Sequence, residues 1–193
     1  STDPLFYYFN GVANKWFKNY NEAISSLKMG VEFVLDNRVL LLEFYSSLAD
    51  SYHATQEHKL SDEYYEKSLA IDSNNVLILN NYAYYLSVRK VNLEKAKKMS
   101  FKCNELEQGN GTYQDTYAWI LYKLADYEQA KIWMQKSLAN GSDMSAVVVE
   151  HYGDILYQLG NVKDAILEWE KAKKLGEASK FLNKKIVEGK LYE

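Results

Sequence analysis

Small side chains recur in this chain at intervals too regular for chance, and they restrict the fold more than any other feature. Gly11, Ala49, Ala83, Ala118 and Gly153 are spaced by 38, 34, 35 and 35 residues. Twelve or thirteen residues after each stands a second small residue: Ala23, Ser61, Ala96, Ala130 and Ala165. Seven further on stands a third: Gly30, Ser68, Cys103, Ser137 and Ala172. Seven residues is close to two α-helical turns, so the second and third sites share a helix face. Helix axes pack about 8–10 Å apart, and the closest crossings need side chains of this size. Larger residues, among them Tyr20, Leu27, Tyr65, Tyr127, Met134 and Trp169, are placed to fill the space around them. The pattern predicts a repeated unit of two short amphipathic helices joined by a tight turn.

A period of about 34 residues with small residues at these offsets resembles the tetratricopeptide repeat, in a bacterial-type array. DTYAWILYKLADYEQAKIWMQKSL and EHYGDILYQLGNVKDAILEWEKAKKLG carry the resemblance most fully, and SLADSYHATQEHKLSDEYYEKSLAIDSNN carries it well. The proline that often closes such a repeat is absent, with Ser73 and Gln108 in its place. The resemblance implies an all-α fold: a right-handed α-solenoid of about five helix-turn-helix repeats. These are expected over residues 4–41, 42–75, 76–110, 111–145 and 146–177, as a single solenoid. A capping helix is expected over 178–189, with Leu182 and Ile186 inward and Lys180, Lys184 and Lys185 outward. Gly109-Asn110-Gly111 reads as the most flexible junction.

Asp3 suits a helix cap and Pro4 a first helical position. The helix they open, LFYYFNGVANKWF, is apolar on more than one face, which would expose some of Phe6, Phe9 and Trp16. Terminal solenoid units normally carry a polar outer face. This end therefore reads as a cut edge of a longer chain, and self-association through it is a possible use of the exposed rings. A second helix is expected from a cap at Asn19 to about Leu35. Net charge is −3, which gives no basic field for nucleic acid. The single cysteine excludes an intrachain disulfide. No apolar run reaches membrane-spanning length and no signal peptide is visible. The expectation is a soluble protein, cytoplasmic or exported with its signal removed.

No catalytic constellation is found. His53, His58 and His151 lack metal-ligand spacing, no nucleotide-binding loop is present, and Cys103 occupies a packing slot. Neither an enzyme activity, a cofactor nor a metal is expected, which leaves a groove as the functional surface. The family resemblance implies that first helices line a concave face. Positions three before, one after and four after each small residue then face inward. They are Tyr8, Val12 and Lys15, then Ser46, Asp50 and His53 in the first two units. The later units supply Asn80, Tyr84 and Ser87, then Asp115, Trp119 and Tyr122, then Glu150, Asp154 and Tyr157. Tyr and Trp are enriched in binding hot spots, and Asn can hold a peptide backbone through both donor and acceptor.

The expected peptide-binding groove comprises Asn80, Tyr84, Asp115, Trp119, Tyr122, Glu150, Asp154 and Tyr157. The expected partner is a polypeptide segment with aromatic or aliphatic anchors and some positive charge. One family subset grips acidic chaperone tails through a Lys/Asn/Arg clamp. Here Thr112 and Thr116 stand where basic residues are needed, and Asp50 and Asp115 would repel such a tail. The favoured reading is a protein–protein interaction scaffold. The alternative is a regulatory or substrate-binding segment of a larger multidomain enzyme.

Overall fold

The computed structural model describes residues 2–176 and 178–192. Among them the chain forms α1 (Pro4–Trp16), α2 (Tyr20–Val31), α3 (Arg38–Ala54), α4 (His58–Ile71), α5 (Val76–Val88) and α6 (Leu93–Leu106). There follow α7 (Gly111–Lys123), α8 (Tyr127–Ser137), a π-helical turn (Leu138–Ser142), α9 (Ala146–Gln158), α10 (Val162–Leu175) and α11 (Leu182–Glu188). No described residue is in a strand. The chain divides into two compact units, Ser1–Tyr82 and Ala83–Glu193, and the divide falls inside α5. In the first unit α1 packs on α2, α2 on α3 and α3 on α4; in the second α6 packs on α7, α7 on α8, α8 on α9 and α9 on α10.

All fifteen small residues of the periodic set are buried. Their size is enforced by what lies opposite. A Cβ on Gly30 would meet Phe44 Cε1 at 2.5 Å, and one on Gly153 would meet Trp169 Cδ1 at 2.5 Å. The first unit's core gathers Ile24, Leu27, Phe44, Leu48 and Tyr52. The second unit has one cluster around Trp119, Met134 and Ile155, and another around Val149, Trp169 and Leu182.

Several boundaries differ from the sequence expectation. Asp3 caps α1 as expected, accepting from Leu5 N at 2.9 Å. Helix α2 stops at Val31, not Leu35. The extra residues of the 38-residue interval lengthen α3 to 17 residues, capped by Asn37, which accepts from Leu40 N at 2.9 Å. The capping helix is only Leu182–Glu188. Gly111 is no loose hinge: Ser137 Oγ donates to its carbonyl at 2.7 Å, and a Cβ would lie 2.8 Å from Asn140 O. Asn110 caps the helix that follows, accepting from Thr112 N at 3.1 Å.

A second regularity was hidden. Seven residues after each small residue of a first helix, at the turn inside every repeat, the backbone is left-handed. These sites are Lys18, Gln56, Lys90, Ala125 and Gly160. A left-handed backbone costs an L-residue roughly 1–2 kcal/mol. Glycine removes that strain but gives the unfolded chain about 0.4–1 kcal/mol more entropy to lose. Ala125, at φ +62°, is therefore the informative test. Ala125→Gly is expected to stabilise the protein by up to about 1 kcal/mol, read as a raised urea midpoint. A lowered midpoint would mean that the alanine methyl makes contacts worth more than the strain.

Candidate functional site

Two of the expected groove residues of α7, Trp119 and Tyr122, are tied to α9 by aromatic stacking through His151. Trp119 stacks on Tyr122 one turn below it, with centroids 4.7 Å apart and planes 8° from parallel. Its other neighbour is His151 of α9, at 3.8 Å and 15°. Lys123 Nζ lies 4.2 Å from the Trp119 ring centroid, a cation–π geometry. His151 Nδ1 lies 3.1 Å from Asp115 Oδ1, which ties the pile to α7 a second time. Trp119 is 8% exposed and Tyr122 4%. Both rings therefore belong to the packed interior of the unit as well as to its surface.

One helical turn along α9, Glu150 and Asp154 face a cation that the sequence reading turned outward. Lys185 of α11 is 2% exposed, and its Nζ donates to Glu150 Oε1 and to both Asp154 carboxylate oxygens at 2.7 Å. The sign that Lys185 faces inward was available: three residues after Leu182, it shares Leu182's helix face. Ser179 also donates to Glu150, through its backbone N–H at 2.7 Å and its hydroxyl. Trp169 Nε1 donates to Asp154 Oδ1 at 2.9 Å. Burial pushes the Glu150 carboxyl up, but the Lys185 and Ser179 hydrogen bonds outweigh it and hold it below the usual carboxylate range. For Asp154 burial wins over Lys185, and its pKa is raised. The two acids on one lysine thus shift in opposite directions, because Asp154 lies deeper.

These contacts change the charge expectation. Asp115, Glu150 and Asp154 are all engaged within the unit. They do not stand open to a cationic partner. Tyr157 is half-buried and leans on Trp169, with centroids 5.8 Å apart. Asn80 belongs to the first unit, where it is buried and its Oδ1 has no hydrogen-bond partner. In that unit two further residues expected in the groove pair, Lys15 Nζ lying 3.0 Å from Asp50 Oδ2. Cys103 is fully buried, and desolvation pushes its thiol up to about 12.

An open cleft of about 340 Å³ lies over the second unit's stack. Tyr84, Trp119, Val147, Glu150, His151 and Asp154 line it from the helices, and Phe181 and Tyr192 from the C-terminal segment. Tyr122 opens instead on a neighbouring recess of about 380 Å³ with Lys90, Tyr127 and Gln158. The sequence reading missed His151, Lys123 and the whole contribution of residues 178–192. Among the described residues no group of three or more His, Cys, Asp or Glu could hold a metal ion, and no helix is long and apolar enough to cross a membrane.

A tetratricopeptide-repeat family model matches residues 42–75, the α3–α4 pair. That segment is a tetratricopeptide repeat, and the chain as a whole shares the fold of tetratricopeptide-repeat proteins. The type IV pilus assembly protein PilF of Pseudomonas aeruginosa is 29% identical to this repeat protein over 116 residues. That match takes in 59% of this chain and 45% of PilF, so the chain spans less than half the length of this curated relative. Solved structures share this chain's fold at low identity. Pseudomonas aeruginosa PilF superposes with a TM-score of 0.76 at 23% identity, over 91% of this chain and 78% of that one. A thermophilic tetratricopeptide-repeat protein of Thermus thermophilus, TTC0263, gives 0.73 at 12%, covering 96% and 98%. MamA of AMB-1 gives 0.70 at 19%, covering 88% and 97%.

Proposed function

We propose that this chain is a non-enzymatic interaction scaffold that holds a polypeptide segment of a partner against the first helices of its second unit. The observation that carries the reading is the cleft over the Trp119 stack, where Tyr84, Trp119 and the half-exposed Val147 meet. Such a surface offers aromatic contact area on short, stiff side chains, at low entropic cost. Partner anchors enter as aliphatic or aromatic groups. Tyr122 backs Trp119 from the neighbouring recess, Tyr157 stands apart against Trp169, and Glu150 and Asp154 fix the floor through Lys185. Asn80, buried in the first unit with its Oδ1 closed off from solvent, takes no part in this cleft. The likeness to a pilus assembly protein supports a role in assembling other polypeptides rather than in chemistry.

The test is a selection of random dodecapeptides on the wild-type chain, followed by affinity measurement on Tyr84→Ala/Val147→Asp. Both positions are partly exposed, so the fold should survive, which circular dichroism checks. Selected peptides are expected to lose at least about tenfold in affinity, the equivalent of about 1.4 kcal/mol. Peptides that bind wild type and double variant equally would sink the cleft as the binding surface.

A further inference from the structure

We infer that residues 178–192, the segment after the last repeat, form the second wall of the partner cleft and select an apolar anchor over a positively charged one. The inference rests on the reading of that cleft as the binding surface. The segment is fastened on both sides of Phe181. Before it, Ser179 donates to Glu150 through its backbone N–H at 2.7 Å and through its hydroxyl. After it, Leu182 is 5% exposed and clusters with Val149 and Trp169, and Lys185 Nζ donates to Glu150 and Asp154 at 2.7 Å. Leu191, beside Tyr192, packs against the same cluster. Phe181 and Tyr192 then border the cleft that Tyr84, Trp119 and Val147 border from the helices. A plug would fill this space, yet with the segment docked about 340 Å³ stays open. Lifting the segment away would expose Leu182 and separate a buried ion pair, and charges left alone in an interior are costly. The segment therefore frames the space for an incoming side chain instead of standing in for it.

The chemistry of the anchor follows from what already sits on the rings. Lys123 Nζ lies 4.2 Å from the Trp119 centroid, Lys180 Nζ 5.0 Å from that of Phe181 and Lys184 Nζ 4.0 Å from that of Tyr192. An aromatic face attracts a cation through its quadrupole, and on each of these rings one ammonium group already draws on it. A further cation in the cleft would stand near three like charges, within a Debye length of about 8 Å. The two carboxylates that line the cleft, Glu150 and Asp154, are both bound to Lys185 and are 3% and 2% exposed. Glu188 accepts from the Tyr192 hydroxyl and offsets only one of the three lysines. A lysine or arginine anchor is thus the poor fit, and an aliphatic or aromatic anchor the good one.

The experiment uses the intact chain and the dodecapeptides selected on it that lose affinity for Tyr84→Ala/Val147→Asp. Alanine scanning finds each peptide's anchor, which is then replaced by lysine. The wild-type chain is expected to bind the lysine peptide at least about tenfold more weakly than its parent. Phe181→Ala/Tyr192→Ala is expected to bind the parent at least about tenfold more weakly too, with its helical circular dichroism unchanged. Lys180 and Lys184 are exposed, so Lys180→Gln/Lys184→Gln keeps the fold. In that variant the gap between parent and lysine peptide is expected to narrow by about threefold or more, the factor that one exposed cation–π contact is worth. A segment that merely capped the fold would change the affinity of both peptides alike and leave the gap as it was, which would overturn the inference. So would unchanged parent binding in Phe181→Ala/Tyr192→Ala, or tighter binding, which would make the segment a plug. Failure of the cleft itself reads differently: no selected peptide would then respond to Tyr84→Ala/Val147→Asp, and the wall would fall with it.

Discussion

Lys185→Met is expected to cost the second unit about 3–5 kcal/mol, because it leaves Glu150 and Asp154 buried without their cation. Methionine keeps most of the chain length and adds no clash, so the loss reports charge rather than volume. Urea unfolding at neutral pH measures it. The pH dependence supplies the check. In the wild type Glu150 titrates below its usual range. Its contribution is therefore complete above the ordinary glutamate pKa of about 4.3 and is lost as pH falls through the depressed value. Asp154 is raised. It opposes folding at neutral pH, and that penalty fades as pH falls through its raised pKa. Without Lys185 both acids move upward and neutralise early on acidification. The gap between wild type and variant should thus be widest near neutral pH and narrow towards about pH 4. A gap that grew on acidification would place the stabilisation elsewhere. Adding Glu150→Gln and Asp154→Asn to Lys185→Met should recover most of the loss, since no buried charge then remains.

Trp119→Ala is expected to cost about 3–5 kcal/mol, as for other large aromatic truncations in a core. The ring is held between Tyr122 and His151. Its removal empties the middle of the stack and frees His151 from its partner plane. Thermal melting by circular dichroism reads the effect, and Trp119→Phe should lose clearly less. An unchanged melting profile for Trp119→Ala would mean that the stack contributes nothing to the interior. The consequence for binding work is practical: partly exposed Tyr84 and Val147 are better probes of the cleft than Trp119.

What could be read in advance followed from demands that are local in sequence. A helix crossing accepts only a small residue, and that demand repeats with the unit, so Ala118, Ala130 and Ser137 declared their positions. Lys185 did not. Its partners lie 31 and 35 residues earlier, and periodicity carries no information about which distant carboxylates will meet an ammonium. A lysine near a chain end also invites an outward assignment, although its spacing from Leu182 argued otherwise. His151 was passed over because it sits two residues from Gly153, a position that faces the preceding repeat rather than the expected groove. For Trp119 a groove face was expected from its register. Its double engagement was not, because a ring this large can line a cleft and still be covered by neighbours. Among the inner turns only Gly160 wears the residue type that its backbone demands.

Lys18, Gln56, Lys90 and Ala125 hold that same backbone without glycine's freedom. In an array whose units answer only to their neighbours, stability is roughly a sum of local contributions. Each of these four corners is then a separate set-point, adjustable by one substitution at a turn. A lineage could stiffen one pair of helices and leave the next ready to breathe, grading the order of melting along the chain.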